Sequence, residues 1–337
     1  MKTPLLEQLN HPLSTEERIR RLDAAFKTPG VTAEKSPIIA YDFRWGIFFF
    51  LLSALICSFL GLWNPGTVWI GIIIAIMAIR EFYRPLGSRF KGSPAENLYY
   101  TIPARSKEVQ KLYIIATYGT DDLLIKPQAF LANQILTAHQ LAFISYGLIS
   151  ITASLTGNKP LWFIALIPLL AWAGWSLTFP ARNDRDAFFN CTVLADLKNL
   201  LTKSTPVSTS VTFAFLGSRS LHSGAYHLLP VLKNTSKMTY IVNLTDYSDG
   251  NRPLIITSEG SLFPQESDPT LIELLHIVAA EKGIAVGKSK IGDYTEIFPF
   301  LLSGLKAVSV AVPRDAGSEY HRDIRELLAG LIRKIEH

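Results

Sequence analysis

The chain has 337 residues, 48% apolar and 18% charged, with a formal charge of +5 and a positive mean hydropathy. That balance is too apolar for an ordinary soluble protein of this length, so membrane spans and contact with a lipid bilayer are expected. The basic residues form no run of like charge, which argues against a nucleic-acid partner, and two cysteines, Cys57 and Cys191, exclude a disulfide framework or a cysteine zinc cluster.

Residues 1–44 are polar and lack the apolar core of a cleavable signal peptide. Within them "STEERIRRLDAAF" opens with a capping box from Ser14 to Glu17 and sets Ile19, Leu22 and Phe26 at helical spacing, which predicts a short amphipathic helix. Residues 45–63 are uncharged and carry Trp at both ends, the pattern of a helix that crosses hydrocarbon. The run 68–79 follows the turn "NPGT" and stops at Arg80, whose long side chain can reach the interface. A second hairpin is expected from 140–155 and 161–179, with His139, Asn133, Gln134 and Gln140 at its interfacial edge.

Four spans in two hairpins follow from this reading. Both inter-span loops are short, so the rest of the chain lies on one side. Arg44, Arg80, Arg84, Arg89, Lys91, Arg182 and Arg185 lie on that side against Lys159 opposite, which makes it cytoplasmic. The expected location is the cell (inner) membrane, multi-pass, with the folded domain facing the cytoplasm. The domain plan reads as a cytoplasmic N-terminal segment (1–44), hairpin 1 (45–80), the first part of an α/β domain (81–129), an inserted hairpin 2 (130–180) and the remainder of that domain (181–337).

Outside the apolar runs, strands and helices alternate. "NLYYTIPA", "KLYIIATY", "SVTFAFLG", "MTYIVNL", "PLIITS" and "KAVSVAVP" read as strands. "DAFFNCTVLADLKNLL", "YHLLPVLKN", "PTLIELLHIVAAEK" and "EYHRDIRELLAGLIRKIEH" read as helices. The expected fold class is α/β, a mainly parallel central sheet flanked by helices, with ligand sites beyond the carboxyl ends of its strands.

Several strand ends carry a pattern, in order along the chain: "IIATYGTDD", "PARNDRDAFFNCTVL", "VTFAFLGSRSLHSGAY", "MTYIVNLTDYSDG", "TEIFPFLLSGLKAVSV" and "SEYHRDIREL". Over roughly residues 95–335 the chain resembles the M28 family of zinc-dependent aminopeptidases, in which carboxylates and imidazoles at these places hold two zinc ions. The resemblance implies that Thr117 and Gly119 stand where the family has His and Asp, and that Asp184 falls on the bridging carboxylate. It puts Ser218 and Arg219 at the carboxylate pair, Thr245 at the next Asp with Asp246 one residue late, and Ile297 at the last His. Tyr320, His321 and Asp323 match a segment that shapes the substrate pocket. With one ligand left, the expectation is a membrane-anchored pseudo-peptidase without catalytic residues, zinc or other cofactor, similar in plan to the nicalin and nicastrin group. Such a protein binds or scaffolds a membrane-protein or peptide partner. The expected binding cleft comprises Arg219, Asp184, Asp246, Tyr320 and His321, where an arginine can hold a carboxylate in bidentate fashion. The alternative is an active membrane metallo-aminopeptidase or hydrolase that keeps zinc through displaced ligands. Asp121, Asp122, Asp246 and Asp249 read as solvated loop carboxylates, His222 and His227 as helix-face or surface histidines, and Ser218 and Ser220 lack a base.

Overall fold

The computed structural model describes residues 14–40, 43–64, 69, 93–118, 129–178, 187–218, 222–235, 237–248, 252–260, 264–291, 295–313 and 318–336. They belong to two compact units, one drawn from 1–40, 94–121 and 183–337, the other from 41–93 and 122–182.

The first unit is organised by two strands that cannot face water. β4 (Thr209–Leu216) reads "TSVTFAFL" and buries all eight residues, and β3 (Gln110–Thr117) buries its last six. A strand buried on both faces needs a helical layer on each side. Residues of β3 alternate accordingly. Leu112, Ile114 and Ala116 enter the larger core with α1 (Thr15–Phe26), α5 (Ala187–Lys203), α7 (Pro269–Lys282) and α9 (Ser318–Glu336). Tyr113 and Ile115 enter a smaller core with α6 (Ser223–Lys233) and the turn at Ile297 that leads into α8 (Phe298–Leu301).

Around this pair the sheet takes the order β1-β2-β4-β3-β5-β9-β6-β7, with β8 added on β6. The remaining strands are β1 (Thr32–Ala40), β2 (Ser93–Ile102), β5 (Met238–Ser248), β6 (Leu254–Glu259), β7 (Gln265–Glu266), β8 (Gly287–Ile291) and β9 (Lys306–Pro313). β3–β4, β3–β5, β5–β9 and β6–β8 are parallel, while β2–β4, β6–β7 and β6–β9 are antiparallel. The expectation of a mainly parallel sheet is therefore corrected to a mixed one. Its physical reason is local. β2 lies beside β4 rather than beside the β3 that follows it in sequence, and β6 turns back along β9, so both flanks of the parallel centre reverse direction.

α1 forms as its sequence predicts. The Ser14 hydroxyl accepts from the Glu17 backbone N–H at 3.2 Å, and Leu22 and Phe26 are buried. Phe26 packs in the core with Tyr100, Phe213 and Phe215 at ring-centroid distances of 5.0, 5.4 and 4.8 Å. The strand after it, β1, was not visible in the sequence because "TAEKSPIIA" is mostly exposed and carries the charges of a sheet edge. α7 is closed at both ends: Asp268 accepts from the Leu271 N–H at 2.9 Å, and Gly283 takes the left-handed conformation, φ 66°, that ends it.

The second unit contains α2 (Phe43–Trp63), α3 (Ala129–Thr156) and α4 (Pro160–Thr178). Its small core includes Ala54, Ala142, Tyr146, Ala165, Leu169 and Ala173. The Tyr146 hydroxyl donates to the Ala54 carbonyl at 3.0 Å. Among the described residues no helix is long and apolar enough to cross a membrane, which overturns the spans expected over 45–63, 140–155 and 161–179. The remaining expected span, 68–79, falls outside the described residues apart from Trp69. α3 gains its length from a first half containing Asn133, Gln134, His139 and Gln140, and Pro168 interrupts α4. Apolar runs were read as spans where part of their apolarity serves helix-on-helix packing.

Phe26→Ala removes a ring that is fully buried. It is expected to lower stability by about 3–5 kcal/mol, read as a fall in the urea midpoint at unchanged slope.

Candidate functional site

The expected ligand positions at the strand ends are brought together in part. β3 pairs with β4 as far as Thr117 and Leu216, and with β5 as far as Ile115 and Asn243. Ser218 lies two residues beyond Leu216, and Thr245 two beyond Asn243, so Thr117, Ser218 and Thr245 gather at the carboxyl ends of three neighbouring strands. Thr117 and Ser218 are buried. The Thr117 hydroxyl has no hydrogen-bond partner among the described residues. The turn holding Ser218 is fixed from β2. The Asn97 side-chain carbonyl accepts from the Gly217 N–H at 3.1 Å, and its amide donates to the Gly224 carbonyl at 2.8 Å. Gly217 is required here, because a Cβ would overlap the Glu96 carbonyl.

Ile297 does not face a metal cavity. It is fully buried, in one cluster with Tyr113, Ile115, Leu216, Leu228 and Phe300. Near the end of β3, Arg18, 4% exposed, donates to the Tyr118 carbonyl at 2.9 Å. Gly119, Asp184 and Arg219 lie outside the described residues, as do Asp121, Asp122, Asp249, Ser220 and the side chain of Asp246.

His321 is not part of this group. It is buried where α9 meets α5, its Nδ1 3.6 Å from Asp196 Oδ2. Burial lowers its pKa, against the opposing pull of Asp196. Tyr320, half-buried, begins the same turn of α9. His227 lies within α6, where burial also lowers its pKa.

A buried polar seam that the sequence did not reveal runs beside these positions. Asn243 of β5 donates to Ser309 Oγ of β9 at 3.2 Å, and Ser309 Oγ donates to Glu259 Oε1 at 3.1 Å. Thr295 adds its hydroxyl at 2.5 Å to Oε1 and its backbone N–H at 2.9 Å to Oε2. Glu259 is fully buried at the end of β6. Burial pushes its carboxyl up to about 7, although the bonds from Thr295 and Ser309 and the nearby His222 pull the other way.

Next to Thr295, Glu296 is also buried, and its Oε2 lies 3.7 Å from Nδ1 of His222. His222 begins α6 with φ 56°, the one positive φ at a non-glycine among the described residues, and its ring lies 5.7 Å from that of Phe298. A left-handed conformation outside glycine costs on the order of 1 kcal/mol and persists where the surroundings enforce it. Glu259 was legible only as a lone acid closing an apolar strand, and His222 only as one of two unremarkable histidines. Chemically the seam can hold or release a proton. With Glu259 and Ser309 both fully buried, it cannot touch a substrate.

A comparison with protein families finds no match, and no curated protein matches the sequence. Solved structures do resemble the chain. They include a zinc aminopeptidase from Bacillus subtilis (11% identity, TM-score 0.42, 73% of this chain and 51% of the other). They also include a glutaminyl cyclase from Fimbriiglobus ruber (14%, 0.44, 87% and 96%). A third is an aminopeptidase from Legionella pneumophila (9%, 0.43, 94% and 75%). The chain thus spans about half of the first and nearly all of the second. The likeness is one of fold.

Zinc does not fit the described positions of the site. Two threonines, a serine and an isoleucine supply neither anion nor imidazole, and among the described residues no group of three His, Cys, Asp or Glu can hold a metal ion.

The folded-state value of Glu259, about 7, lies above the ordinary 4.5, so its protonation favours the folded chain. That contribution is complete below pH 4.5 and is lost as pH rises through 7. Wild-type stability is expected to fall by on the order of 3 kcal/mol over this range, whereas Glu259→Gln flattens the profile. Urea midpoints between pH 5 and 8.5 test this, and equal slopes in both proteins would count against it.

Proposed function

We propose that this chain is a peptidase-fold binding protein without zinc catalysis, held at the cell membrane with its α/β unit on the cytoplasmic side. The observation that carries the reading is Ile297. At the position where the resemblance calls for a zinc-binding histidine, a hydrocarbon side chain fills the space and is fully buried. A metal ion there would have to displace apolar packing and would find no donor atom.

The partner is a peptide or a segment of a membrane protein, received at the ends of β3, β4 and β5. Arg219, next to Ser218 in sequence, holds a carboxylate of that partner, with Asp184 and Asp246 completing the contact. The membrane location rests on the high apolar share of the sequence, and the cytoplasmic side on the distribution of arginine and lysine around its apolar runs.

Metal analysis of the purified protein separates this reading from that of an active metallo-aminopeptidase. Less than about 0.1 equivalent of zinc is expected, with a thermal midpoint unmoved by chelator. One or two equivalents, lost together with peptide hydrolysis on Asp184→Asn, would establish the enzyme instead. Arg219→Ala is expected to weaken capture of a carboxylate-bearing peptide by about tenfold or more. Unchanged capture removes the cleft as the interface.

A further inference from the structure

The second unit is built inside out by the standard of a bundle in water. Many of its inward positions are small: Ala54, Ala142, Ala153, Ala165 and Ala173 are all buried, beside the larger Tyr146, Trp162 and Leu169. Gly61 meets the Trp162 ring so closely that a Cβ would overlap it. The large apolar side chains point the other way. Trp63 is 90% exposed, Leu155 83%, Phe59 and Leu148 61%, and Ile167 60%. On α3 the exposed positions Leu141, Ile144, Leu148, Ile151 and Leu155 recur at heptad spacing along one face, while Ala142, Tyr146 and Ala153 occupy the inward one.

In water, the free energy of removing apolar area drives the largest side chains inward. Between helices in hydrocarbon that drive vanishes, and small residues take the contact because they let backbones approach. Inward polar groups then act as ties, as the Tyr146 hydroxyl does toward Ala54 and Ser58. Monomeric soluble proteins rarely expose an apolar patch above roughly 300–600 Å². Here three helices together expose such faces.

We infer that the outward faces of α2, α3 and α4 pack against the hydrocarbon of a lipid bilayer. Charge complementarity selects this occupant. α3 and α4 contain no Asp, Glu, Lys or Arg, and α2 has only Arg44 near its start, so the faces match an uncharged phase. Seating against hydrocarbon requires the face and not a crossing. The inference rests on the membrane location proposed above and names the surface responsible for it.

All six tryptophans, Trp45, Trp63, Trp69, Trp162, Trp172 and Trp175, belong to this unit, so emission of the unmodified chain reports on it alone. Full-length protein is mixed with phosphatidylcholine vesicles and floated on a density gradient, and its emission is compared with and without brominated acyl chains. Flotation with marked quenching by bromine is expected. Phe59→Asp, Leu148→Asp and Ile167→Asp together should cut the floated fraction about tenfold or more, while Val231→Asp on α6, outside the unit, floats as the wild type does. Flotation without quenching, or equal flotation of the triple variant, overturns the assignment of this face and leaves the membrane location standing. A wild-type chain that stays unbound and runs as a defined oligomer overturns both.

Discussion

The constraint on which the α/β unit depends is the double-sided burial of β3 and β4. Their residues pair in parallel register from Gln110–Thr209 to Thr117–Leu216, and β4 exposes none of its eight residues. Every neighbouring element follows from covering them. α1, α5, α7 and α9 contribute to one core, and α6 and the Ile297 turn to the other. Polar chemistry is thereby confined to the strand ends and to the few inward polar positions whose hydrogen bonds close on each other.

The Glu259 seam shows how strict that confinement is. A carboxyl at full burial survives because Thr295 and Ser309 hydrogen-bond it, and its proton affinity rises because burial disfavours the charged form. The same neighbourhood holds His222 in a strained backbone conformation and Glu296 against its ring. Two loops, the β4–α6 turn and the turn at 295–298, thus bring His222 Nδ1 within 3.7 Å of Glu296 Oε2, beside a position that hydrocarbon fills.

The second unit packs differently from the first. In the α/β unit, Phe26, Phe213 and Phe215 are buried together. In the helical unit five alanines are buried beside Tyr146, Trp162 and Leu169, while Leu148, Leu155 and Ile167 are exposed.

Much of this was determined by the sequence alone. The capping box fixed the start of α1, the apolar runs fixed β3, β4 and β9, and Asp268 with Pro269 fixed α7, since caps and burial periodicity act within one turn or one strand. Thr117, Ser218, Thr245 and Ile297 could likewise be picked out by their order along the chain. Only the tertiary structure decided the strand order, and with it the antiparallel β2–β4 and β6–β9 pairs, because register between distant strands is a choice among long-range pairings. It alone turned apolar runs into α2, α3 and α4 with distinct inner and outer faces. Glu259, Thr295, Ser309 and Asn243, spread over 67 positions from 243 to 309, share no local pattern. They become one group only where three strands and a loop converge.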